Sequence, residues 1–179
     1  GLIVGGVDVG GMTSQQASDR LLEIYSQPVE LYYDNAVIHL TPSLVDYRVD
    51  VENMLAAANL ERTQKQFWQD FWDYLWGRTT FPTQVPLSAT FSEERLRVFL
   101  ADLASRYDTP ATSAQPVPGQ ILFQAGSAGK ALDIDGSVLL IEAALNSLTS
   151  RKGNLPLRRI EPTRPAFQNL EVLLRQTLQ

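Results

Sequence analysis

What most constrains this fold is a change of hydrophobic period that recurs along the chain. A short strand-like alternation passes through a turn of Gly, Asp or hydroxyl residues into helical spacing. In residues 123–148 (FQAGSAGKALDIDGSVLLIEAALNSL), Gly126 and Gly129 supply a turn with little steric restriction. Residues 131–134 then alternate as a strand with Leu132 and Ile134 on one side. Asp135, Gly136 and Ser137 offer turn and N-cap chemistry before a helix in which Val138, Ile141, Leu145 and Leu148 recur at spacings of three, four and three. The same order appears at 6–22 and 44–57. The predicted class is therefore α+β, with short, mostly antiparallel strands, helices packed on one face, and repeated strand–turn–helix units.

A chain of 179 residues with 44% hydrophobic content can bury a real core. Residues 1–165 are predicted to form one elongated domain or two lobes meeting near 80–82, and 166–179 a helix or linker leading to a following domain. Fifteen basic residues against 20 acidic ones give a net charge of −5, and the basic ones are scattered. That pattern excludes the positive stripe of a nucleic-acid binder. No run has the apolar length of a membrane span, and 1–4 (GLIV) lack signal-peptide regions. A start inside an apparent strand and an end inside an apparent helix predict a piece of a longer protein, with any anchor or signal upstream. Cysteine is absent, so no disulfide framework or thiolate metal site is expected.

Taken in order, 2–9 reads as a strand broken by Gly10-Gly11, and Thr13 with Gln16 forms a capping box for a helix carrying Ala17, Leu21, Leu22 and Tyr25. Residues 29–33 and 37–40 alternate around Asp34-Asn35 as a hairpin. A strand at 44–49 follows, and Asp50 caps a helix holding Val51, Met54, Leu55 and Ala58. The next predicted helix, 63–76, sets Phe67, Phe71 and Leu75 on one stripe and Trp68, Trp72 and Trp76 on the adjacent one. Indole rows suit sugar stacking, but at helical spacing a core face is the simpler expectation. Residues 83–91 alternate with Pro86 marking an edge or bulge, Ser92 caps the helix of Leu96, Phe99, Leu100 and Leu103, and 108–119 has loop composition. Strands at 121–123 and 155–160 and an amphipathic helix at 167–178 complete the prediction.

The inventory for catalysis is poor. The one histidine, His39, lies in the second hairpin strand, where a solvated strand residue is expected rather than a general base. Ser127 and Lys130 form an S-x-x-K, but this one precedes a strand instead of opening a helix, and neither S-D-N nor K-T-G occurs. Residues 126–130 lack the spacing of a phosphate loop. Asp133 and Asp135 are too few oxygens for a calcium cage, so capping is their expected role. No catalytic group, metal or cofactor is predicted.

The segments GVDVGGMTSQQASDRL, VDVENMLAAA, FWQDFWDYLWGR and AGSAGKALDID resemble the YoaR-like peptidoglycan-binding domain family, over about residues 1–165. Gly11, Thr13, Gly129, Leu132 and Asp133 match that pattern, whereas the aromatic richness of 63–76 departs from it. Such domains occur beside VanW-like domains and ahead of L,D-transpeptidase or other cell-wall catalytic domains. The resemblance implies an extracytoplasmic, non-catalytic module that binds peptidoglycan and positions a covalently linked catalytic neighbour. A binding groove would join Lys130, Arg158 and Arg159 to an uncovered Trp68, Trp72 or Trp76, because stem-peptide carboxylates need cationic partners. The competing expectations are a spacer or dimerisation unit without glycan affinity and, third, a wall enzyme.

Overall fold

The computed structural model describes residues 2–64, 83–116 and 123–162, and the class is α+β, with four α-helices and several small sheets among those residues. The strand expected at 2–9 is instead a hairpin of β1 (Leu2–Val4) and β2 (Val7–Asp8). Its two-residue loop is Gly5-Gly6, with φ of +54° and +80°, the pair of left-handed conformations that such a loop requires and that only glycine adopts freely. β1 also pairs in parallel with β6 (Thr83–Val85). Gly11, at φ +78°, turns the chain into α1 (Ser14–Tyr25). Thr13 and Gln16 form the expected capping box, each side chain accepting from the other's backbone N–H. Ala17, Leu21 and Tyr25 are buried, but Leu22, one position off that stripe, is 49% exposed.

β3 (Val29–Tyr33) and β4 (Ala36–Leu40) form the expected hairpin, with Asp34 left-handed at its tip. A strand that sequence alternation did not reveal, β11 (Lys152–Asn154), pairs in parallel with the other edge of β3. The strand expected at 44–49 is mostly absent. Pro42 opens a 3-10 turn (Pro42–Val45), which its fixed φ favours, left-handed Asp46 closes it, and only β5 (Arg48–Val49) is extended. β5 pairs with β7 (Ala89–Thr90). Pro86 thus lies between two strands, β6 and β7, that join different sheets. Asp50 accepts from the Asn53 N–H at the start of α2 (Val51–Gln64), and Ser92 from the Arg95 N–H at the start of α3 (Glu93–Tyr107). A short pair, β8 (Gln115–Pro116) and β9 (Phe123–Gln124), precedes β10 (Gly129–Leu132), which pairs antiparallel with β12 (Leu157–Ile160).

The handover from β10 to α4 (Ile134–Leu145) comes two residues earlier than expected. Asp133, not Asp135, is the N-cap: its carboxylate accepts from the Gly136 N–H, and the Ser137 hydroxyl donates back to its carbonyl at 2.6 Å. Asp135 lies exposed in the first turn, 2.8 Å from Arg97. The helix stops at Leu145, so Leu148 lies beyond it. The expected features at 65–82, at 121–122 and at 167–178, among them the Trp and Phe stripes and the 80–82 boundary, lie outside the described residues.

Two apolar clusters hold these elements. One joins the β3–β4 hairpin, Val45, α3, Leu132, α4 and Leu155; the other joins β1, β2, α1, α2 and Val85. Tyr47 packs against both. Beside it lies Arg151, only 9% exposed. Its Nη1 donates to the carbonyls of Leu145 and Ser147 and its Nη2 to those of Tyr25 and Gln27. One guanidinium thereby binds the C-terminal ends of α4 and α1, where helix carbonyls lack internal donors and the helix dipole favours a cation.

Candidate functional site

The cations proposed from sequence converge only in part. The β10–β12 register puts Lys130 opposite Arg159, on one face of the ribbon, and Arg158 opposite Ala131, on the other. Lys130 pairs with Asp34 at 2.8 Å and Arg159 with Glu161 at 2.9 Å. All of these side chains are largely exposed, so the pairs contribute little stability, yet they leave both cations engaged. Arg158 makes no ion pair among the described residues. Trp68, Trp72 and Trp76 lie outside them.

The other candidates take structural or solvated positions. His39 is exposed on β4 opposite Glu30, in a row that continues to Lys152. The hydrogen bond from Lys152, and next that from Tyr32, hold the Glu30 carboxyl below its usual range. The Ser127 hydroxyl bonds to that of Thr112 at 2.8 Å while the Lys130 ammonium bonds to Asp34, so the S-x-x-K does not form a nucleophile–base pair.

A different surface forms a cleft of about 450 Å³. The last turn of α1 gives one wall (Leu22, Tyr25, Ser26). The other comes from Thr41, Pro42 and Ser43 at the 3-10 turn, from Tyr47, and from Arg48 and Val49 of β5. The segment that fails to become a strand is therefore what opens the cleft. Most of its polar groups already have partners: Tyr25 donates to the Gly5 carbonyl, Ser26 to that of Glu23, Tyr47 to Asn146 Oδ1, and Arg48 to Asp46. Thr41 stands at the N-cap of the 3-10 turn without a capping bond, and the exposed Ser43 hydroxyl makes none among the described residues. Burial, foremost, and the neighbouring Tyr25 push the Tyr47 phenol up to about 12, so it is a neutral hydroxyl at ordinary pH.

Volume and lining fall in the range of small-ligand sites, which are about 300–1,000 Å³, mostly apolar and furnished with a few polar groups. None of these residues stood out in the sequence as a ligand group. The legible signal was Pro42-Ser43 after a hairpin and Asp46 before Tyr47, a turn composition that outweighs apolar alternation at 44–49. No protein-family model, curated protein or solved structure matches this chain.

Proposed function

We propose that this chain is a non-catalytic accessory module that binds peptidoglycan outside the cytoplasm and positions a covalently linked catalytic domain. The observation that carries this reading is the cleft between α1 and the 3-10 turn, where an apolar floor meets the hydroxyls of Thr41 and Ser43, neither of which has a hydrogen-bond partner among the described residues. The resemblance of the motifs around Gly11, Thr13, Gly129, Leu132 and Asp133 supports it. So does a sequence with no cysteine and a single histidine. Among the described residues no helix is long and apolar enough to cross a membrane.

Affinity per module is expected to be micromolar or weaker. A chain at −5 gains no long-range attraction to an anionic wall, so retention relies on local contacts and is raised by tandem copies or a tether. Sedimentation with purified sacculi tests the reading. Retention of a tandem pair, with no muropeptides released, is the expected result. Failure of the tandem pair to sediment at any salt concentration would favour a spacer, and release of muropeptides an enzyme.

A further inference from the structure

Among the described residues, the cleft offers its occupant an apolar floor (Leu22, Pro42, Tyr47, Val49) and two hydroxyls without a partner, but no charge without one. The guanidinium of Arg48 is already held by Asp46, with Nε at 3.0 Å and an Nη at 2.9 Å from the same carboxylate oxygen. Arg151 directs its Nη1 and Nη2 donors to four backbone carbonyls, and its buried Nε has no partner among the described residues. An incoming carboxylate would meet Asp46 beside Arg48, the one cation of the lining among the described residues, in a chain whose net charge is −5. It would gain little from Arg48 without displacing that partner.

An uncharged sugar meets no such penalty. Its C–H face and acetyl methyl can lie on the aliphatic and aromatic floor, and its hydroxyl and amide groups can exchange hydrogen bonds with Thr41 and Ser43. We propose that the cleft binds a short, uncharged, N-acetylated stretch of the glycan strand and not the carboxylate-bearing stem peptide. This rests on the wall-binding reading only for the source of the sugar.

Calorimetric titration with two probes tests it: the free tetramer of β-1,4-linked N-acetylglucosamine, and a stem pentapeptide ending in D-alanyl-D-alanine. The variants are Thr41→Val with Ser43→Ala, which removes both hydroxyls at exposed positions with little change of shape, and Arg48→Gln. The tetramer should bind, weaken by about tenfold in the double variant, and change by less than about twofold between low and high salt. The pentapeptide should not bind. Thermal melts of the variants matching the parent would confirm that folding is intact. Pentapeptide binding that is salt-sensitive and lost in Arg48→Gln would overturn the assignment, as would tetramer binding indifferent to the double variant. Sacculus retention without tetramer binding sinks this inference and leaves the wall reading, whereas tetramer binding without retention does the reverse. Absence of both sinks both.

Discussion

At the residue scale, the tightest constraint is the space beside two glycines. Neither Gly126 nor Gly129 takes a left-handed φ. A Cβ at Gly129 would stand 2.4 Å from the Ala111 nitrogen and the Thr109 oxygen, and one at Gly126 would stand 2.1 Å from the Thr112 oxygen. The loop at 109–114 is pinned against them by hydrogen bonds between Thr109 and Lys130 in both directions and from the Thr112 N–H to the Ser127 carbonyl. The clash is with backbone, which cannot rotate aside. Gly129→Val should therefore lower stability by about 1–3 kcal/mol, and an unchanged thermal melt would refute the close approach. In the sequence these glycines read as an unrestricted turn; the fold shows that what they supply is room for a close backbone approach. Thr13, Asp50 and Ser92 were legible outright because capping is local. Asp135 misled for the opposite reason. Two aspartates flank Ile134, and the choice between them is made at long range, where the Asp133 N–H reaches the Pro156 carbonyl and the β10 pairing ends.

At the scale of elements, what the sequence revealed follows length. The β3–β4 hairpin, α1 and α3 each repeat their period often enough to be read. β2, β5 and β11 are two or three residues long, and Lys152-Gly153-Asn154 has no apolar alternation at all. Their existence depends on partners distant in sequence, as β11 depends on β3. The cleft was hidden by the same cause, since its second wall is the segment whose alternation mimics a strand. Helix starts are the converse case, and the box at α1 gives a measurable instance. Thr13→Ala removes the acceptor for the Gln16 N–H on an exposed turn and should cost about 1 kcal/mol in chemical denaturation, with Thr13→Ser retaining most of it. A loss no larger in Thr13→Ala than in Thr13→Ser would mean the cap is idle.

At the scale of the whole molecule, the chain alternates between two apolar clusters, so neither cluster corresponds to a continuous half of the sequence. Composition and period cannot show such interleaving, and they gave no hint of Arg151. Burial, its largest influence, pulls the Arg151 guanidinium below the usual arginine range, while Tyr47 and Tyr25 act in the opposite sense. Among the described residues no carboxylate meets this buried arginine; four helix-end carbonyls take its Nη donors, while its Nε–H finds no partner there. Two of those carbonyls belong to the α1 end and two to the α4 end, so the side chain spans both clusters. Arg151→Met keeps the volume roughly constant and relieves the buried charge, but it strands the carbonyls, a net loss expected at about 2–4 kcal/mol. Arg151→Lys should recover only part of it, because a single ammonium cannot reproduce the planar fork that reaches both helix ends. If Arg151 is the joint, its loss should also divide cooperativity. Hydrogen exchange would then show the amides of α1 and α2 opening at a different free energy from those of α3 and α4, whereas all four are expected to open together in the parent chain. Parallel protection in all four helices of Arg151→Met, at an unchanged denaturation midpoint, would remove Arg151 from that role and leave the coupling to side-chain packing such as that of Tyr47, which touches both clusters.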